Sequence, residues 1–222
     1  MKHDIQPSGI AYINRYYNLR CIKLEELPYA SILTLLLGKL GTDKHTSEEI
    51  DTLLRMKLGY FSPSLAFFEN IIYANDVSPC FCIRTSALCE YDIYLASLID
   101  EILFHTEFSD FNKIKKILQQ KKVEMEQSFI MAGHIAAMNT ALSGIMLSYY
   151  YNSLVNGVQF YEFLKQLINN FDNKKEELAT ILKDVAYRIF RATSTLSVSG
   201  TGAYCEIDSE IDKKMITENI NN

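Results

Sequence analysis

Hydrophobic positions along this chain recur with two periods, and the switches between them mark its elements. From Gly9 to Leu19, Ile and Tyr alternate in part, placing Ala11, Ile13 and Tyr17 on one face of a strand. From Pro28 the spacing lengthens. Tyr29, Ile32, Leu33, Leu36, Leu37 and Leu40 form a wide apolar stripe that predicts a helix over 28–40, with Pro28 in its first turn and Gly41 as its stop. Thr46 and Glu49 have capping-box spacing and open a second helix over 47–58, which carries Ile50, Leu53, Leu54 and Leu58 and closes at Gly59. Alternation returns over 64–72 and 79–87, two strands joined through Asn75 and Asp76, with Phe81, Ile83 and Thr85 opposed to Cys80, Cys82 and Arg84.

Helical spacing then resumes. A third helix buries Tyr91, Tyr94, Leu95, Leu98, Ile99 and Ile102. Ser109-Asp110 caps a long helical region beginning near Phe111, and Gly157 breaks it before Phe160, Phe163, Leu164, Leu167 and Ile168. Asp172 caps a last helix with Leu178, Ile181, Leu182, Val185 and Ile189, and 195–201 alternates as a final strand. Strands and helices come in runs instead of strict alternation, so the fold class is α+β: an antiparallel or mixed sheet with helices packed on one face. The expected organisation is a tail over 1–8, a single domain over 9–202 and a polar tail or linker over 203–222. Of 222 residues, 48% are hydrophobic, enough for a sizeable core.

Charge is distributed unevenly. Over 113–126, Lys115, Lys116, Lys121, Lys122, Glu124 and Glu126 lie opposite Ile114, Ile117, Leu118 and Met125, the wet and dry sides of one helix. From Gln127 to Tyr161 there is no Asp, Glu, Lys or Arg, and His134 is the sole ionisable group besides tyrosines. Asn139, Thr140, Ser143, Asn152, Asn156 and Gln159 interrupt this run too often for a membrane span. Two readings remain: the run is covered by the domain's own elements, or part of 127–161 is an interface left bare.

Composition excludes more chemistry than it suggests. The net charge of −5 argues against nucleic acid as a partner. No secretory leader pattern opens the chain, and five scattered cysteines read as reduced thiols, pointing to the cytoplasm or an organelle matrix. A zinc site on Cys80, Cys82 and Cys89 is the alternative, but the spacing matches no usual knuckle. His3, His45, His105 and His134 form neither H-E-x-x-H nor H-x-x-E-H. His105 and Glu107 read as a solvated helix end, and His134 as an interior or interfacial histidine. Ser199-Gly-Thr-Gly202 lacks the lysine and following helix of a phosphate loop and reads as a turn. No catalytic, cofactor-binding or metal residue is nominated.

Leu35-Leu-Leu-Gly-Lys-Leu-Gly-Thr42, the capped helix after it, and Gly59-Tyr-Phe-Ser62 resemble the pitrilysin/insulinase-type zinc metallopeptidases, in the presequence-protease and falcilysin-like branch. Leu98 to Phe108 (LIDEILFHTEF), Met131-Ala-Gly-His134, Tyr161-Glu-Phe-Leu164 and Leu196-Ser-Val-Ser-Gly200 extend the resemblance to nearly the whole of 9–201. In that family four homologous units close around a chamber. An H-x-x-E-H motif in the first unit binds zinc, and the last unit supplies an Arg/Tyr pair. This chain resembles the third, non-catalytic unit and has no position matching the ligands, the base or that pair.

The resemblance implies a non-catalytic segment of a zinc metalloendopeptidase that degrades unfolded peptides, forming part of the chamber wall. Zinc is expected only in the catalytic unit of the parent, and the expected partners are the parent's other units and unfolded peptide, with no nucleic acid or membrane. The alternatives are a stand-alone binding or scaffolding domain of the same fold, and an independent enzyme with a site near His134 and Tyr149, Tyr150 and Tyr151.

Overall fold

The computed structural model describes residues 9–70, 72–73, 76–88 and 92–199, with the helical backbone alone over 92–95. The expected tails at 1–8 and 203–222, Asn75, Cys89, Tyr91, Cys205 and the 200–202 turn lie outside the described residues. Four strands form one antiparallel sheet in the order β2-β3-β1-β4: β1 Ile10–Asn18, β2 Tyr60–Glu69, β3 Val77–Leu88 and β4 Ser194–Ser199. Eight helices accompany it among the described residues: α1 Leu27–Leu36, α2 Ser47–Lys57, α3 Asp92–His105, α4 Phe111–Met131, α5 Gly133–Ser143, α6 Leu147–Asn156, α7 Val158–Asn169 and α8 Phe171–Phe190. The α+β class read from the pattern is the architecture observed.

Side-chain alternation gives the sheet two different faces. Ala11, Ile13, Arg15 and Tyr17 of β1 share one face with Phe81, Ile83, Thr85 and Ala87 of β3, and the helices pack there. Phe190, on the last turn of α8, shows how: its ring meets Tyr17 edge-on at 5.3 Å and Phe81 at 5.4 Å. Ile32, Leu33 and Leu36 of α1 and Leu182, Val185 and Ile189 of α8 are fully buried in the same core. Arg15 is buried on this face beside Asp100 of α3, at 3.5 Å. The apolar alternation carries no sign of it.

Prolines sit where a sheet tolerates a missing N–H. Pro63 is in β2, an edge strand, and Pro79 lies just past the last β1–β3 pair, Asn18 with Cys80. Because an edge strand accepts Pro63, β2 begins at Tyr60, four residues before the 64–72 strand read from the sequence. The stop of α1 also moves. Gly38, at φ +76°, turns the chain, and a Cβ there would come 2.9 Å from a ring carbon of Phe61. Gly41 is not the stop, yet Leu37 and Leu40 stay buried beyond the helix.

The long helical region breaks at three places, not one. Ala132 separates α4 from α5, Gly144 to Met146 separates α5 from α6, and Gly157 separates α6 from α7. A Cβ on Gly157 would lie 2.7 Å from the Cα of Ser153, so this corner closes only around glycine. Of the two readings of 127–161, coverage by the domain's own elements holds for Ser148, Ser153, Val155 and Phe160, which are buried. It fails for α5, which has no buried residue. His134 is exposed and is not an interior histidine.

Candidate functional site

Three features of the described residues carry polar or unpartnered chemistry. The first is a knot between the loop after α1 and the end of α3. Glu101, 7% exposed, accepts a hydrogen bond from the Thr42 hydroxyl and pairs with His45 Nδ1 at 2.8 Å. Thr42 Oγ1 in turn accepts from the backbone N–H groups of His45 (3.0 Å) and Lys44 (3.2 Å). One turn along α3, His105 Nδ1 lies 3.0 Å from Asp43 Oδ2, so His105 pairs with Asp43 and not with Glu107. Backbone bonds from Glu107 N to Gly41 O and from Asp43 N to His105 O complete the joint.

Burial pushes the Glu101 carboxyl up, but the hydrogen bonds from Thr42 and His45, with the charges of His45 and Lys44, outweigh it and hold it below the ordinary range. Thr42, Glu101 and His105 come from the two stretches that carry the family resemblance, Leu35–Thr42 and Leu98–Phe108, while Asp43 and His45 lie just beyond the first. Its groups are engaged with each other, which is the pattern of a structural clamp and not of a poised acid or base.

The second feature is the sheet face away from the helices. The pairing register aligns Tyr60, Ser86, Tyr12 and Ser199 in one row, Ser62, Arg84, Asn14 and Ser197 in the next, then Ser64, Cys82, Tyr16 and Thr195. Tyr12, Tyr60, Phe68, Arg84 and Leu88 are exposed on it. Tyr16 meets Phe68 edge-on at 6.1 Å. Hydroxyls, amides and rings dominate these three rows, with Arg84 their one charged residue. Cys82 is buried between its cross-strand neighbours, which pushes its thiol up to about 11 and leaves it a poor nucleophile at neutral pH.

The third feature is a groove of about 440 Å³ where α4 ends and α5, α6 and α7 meet. Phe129, Ile135 and Val158 supply apolar walls, and Asn139, Thr140, Tyr149, Asn152 and Asn156 supply neutral polar groups. Tyr149 lines it and His134 does not. Tyr151 instead stacks on Phe67 of β2 at 5.3 Å.

Among the described residues no three His, Cys, Asp or Glu side chains come together, and the knot offers one histidine and one carboxylate already bound to each other. Nor, among the described residues, is any helix long and apolar enough to cross a membrane.

Residues 1–167 match the family described as associated with peptidase M16, subfamily C. The chain belongs to that family. Protein HypA of Clostridium perfringens is 27% identical over 223 residues, covering 100% of this chain and 23% of HypA. The mitochondrial presequence protease of Drosophila melanogaster is 22% identical over 186 residues, 84% of this chain and 18% of that protein. Presequence protease 1 of Arabidopsis thaliana, chloroplastic/mitochondrial, is 21% identical over 187 residues, 83% of this chain and 17% of that protein.

A crystal structure of a conserved protein from Enterococcus faecalis V583 shares the fold, with a TM-score of 0.61 over 88% of this chain and 44% of that one at 12% identity. The peptidase-associated chain therefore spans about a fifth of the length of these curated relatives. It is a pitrilysin-like, peptidase-associated unit, the counterpart of one segment of larger peptidases, as the resemblance implied.

Proposed function

We propose that this peptidase-associated unit serves as a non-catalytic wall of a chamber in which a zinc metalloendopeptidase degrades unfolded peptides, with zinc held by another unit of the parent. The observation that carries the reading is the open sheet face. A wall that must pass many sequences needs neutral hydrogen-bonding groups and aromatic rings in place of a pocket of one shape or charge. Tyr12, Tyr16, Asn14, Ser62 and Phe68 supply that mixture on paired strands. The polar knot at Glu101 fixes the joint between α3 and the loop after α1 and takes no part in chemistry. Relatives named mitochondrial and chloroplastic presequence proteases support an organelle matrix as the setting.

The test is reconstitution. The zinc-bearing unit encoded with this chain is assayed on an unfolded fluorogenic peptide, with and without the purified chain. Cleavage should depend on the chain and fall when Tyr16 and Phe68 are replaced by Asp. Equal rates in the absence of the chain would remove the wall role.

A further inference from the structure

The helix α5 is hard to reconcile with a domain that works alone. His134, Ala137, Met138 and Ala141 follow one another at helical spacing, and all are exposed. The apolar residues at its two ends are barer still: Ile130 and Met131 are each 84% exposed and Ile145 is 77% exposed. No charged side chain from this stretch meets water between Glu126 and Glu162. The contrast with the preceding turns is sharp, since α4 carries ion pairs from Lys115 to Asp172 at 2.9 Å and from Lys122 to Glu126 at 3.0 Å. An exposed helix that solvates itself through charge and then stops doing so within one turn marks the edge of a contact surface.

We infer that α5, with the groove beside it, is the docking surface for a neighbouring unit of the parent peptidase, whose facing surface is apolar at its centre and carries no charge there. The inference rests on the chain's role as one unit of a larger peptidase. Two observations select this occupant. The matched stretch makes up only 17% to 23% of the curated relatives, so in them an equivalent unit has other polypeptide as its neighbour. The surface is also electrically blank. Its barest side chains are aliphatic or thioether, Ile130, Met131, Met138 and Ile145, and a permanent partner needs only such apolar complementarity around a few neutral hydrogen bonds. Asn139, Asn152 and Asn156 in the groove can supply those bonds, with Ile135 and Val158 as apolar lining that an aliphatic side chain would cover. Met138 and Met131 suit such a contact, because unbranched thioether chains adapt to the opposing shape.

The experiment mixes this chain with the flanking units encoded with it and measures complex formation by sedimentation and by titration calorimetry. Ala137→Asp and Met138→Asp each place a carboxylate on the exposed face without entering the core. Each should weaken the complex about tenfold or more, since an unpaired charge would be desolvated there. The melting temperature of each isolated variant should match the unmodified chain. Lys116→Glu, on the wet face of α4, should leave the complex intact. Undiminished binding by both aspartate variants would overturn the docking surface while leaving the role as a peptidase unit standing. Failure of the unmodified chain to bind the flanking units would overturn that role as well. Two further results would assign the surface differently and also overturn the inference: a dimer of the chain that both variants dissociate, or displacement of the flanking units by an unfolded, uncharged peptide.

Discussion

His45 Nδ1 sits 2.8 Å from Glu101 Oε1, a contact between residues 56 apart in the chain that helps tie a loop to a helix. With Thr42 on the same carboxylate, it fixes how the turn after α1 meets α3. Glu101→Gln keeps the size but loses the charge that both partners are oriented toward. It should cost about 1–3 kcal/mol in denaturant unfolding at pH 7, the usual range when a buried polar network loses its charged member.

The same carboxylate makes a prediction in pH. Its folded value lies below its unfolded one, so its stabilising effect is complete above the unfolded pKa and is lost as pH falls through the folded value. The window is therefore acidic, below about pH 4 for an ordinary glutamate reference. Measured between about pH 7 and pH 3, the stability gap between the unmodified chain and Glu101→Gln should narrow on the acid side. A gap that stays constant would show that the charge of Glu101 contributes nothing.

Leu36 is fully buried in the stripe that α1 lays against the core. Leu36→Ala should destabilise by about 2–5 kcal/mol, the range for emptying a well-packed leucine site. Chemical denaturation followed by circular dichroism measures it, and a near-neutral result would mean that the site collapses around the gap.

Gly38→Ala tests the turn that ends α1. The added methyl must adopt φ near +76° and also displace the Phe61 ring, so a loss of roughly 1–3 kcal/mol is expected. Phe61→Leu in the same background should recover part of the loss, because it relieves the steric component and leaves the backbone component.

Purified alone, the chain should contain no stoichiometric zinc and should leave an unfolded fluorogenic peptide intact, since catalytic zinc takes three protein ligands and an open position. Metal analysis and a cleavage assay with and without chelator decide it. Chelator-sensitive turnover by this chain would contradict the reading.

The parts of the fold that repeat locally are readable from the sequence. The faces of β1 and β3 follow from alternation, and the Thr46–Glu49 capping box opens α2 as its spacing requires, with both reciprocal bonds present. What depends on distant partners is not readable. Glu101 looks like any polar position of α3, and only the loop brought to it by the α1 turn makes it a buried acceptor. Arg15 escapes notice for the same reason, as Asp100 lies on another element. The run without charge is visible at once, but absence of charge describes a buried helix and an uncovered one equally. Only the packing of α5, which rests on α6 and α4, distinguishes them.

Pro63 has a consequence for growth of the sheet. Lying mid-strand in β2, it deletes a donor from that strand's row and blunts the edge against backbone pairing with another chain. The opposite border, β4, contains no proline and presents six residues to the outside of β1. Among the described residues β4 is the border whose row of backbone donors no proline interrupts, so a strand contributed from elsewhere would meet the fuller ladder of partners there.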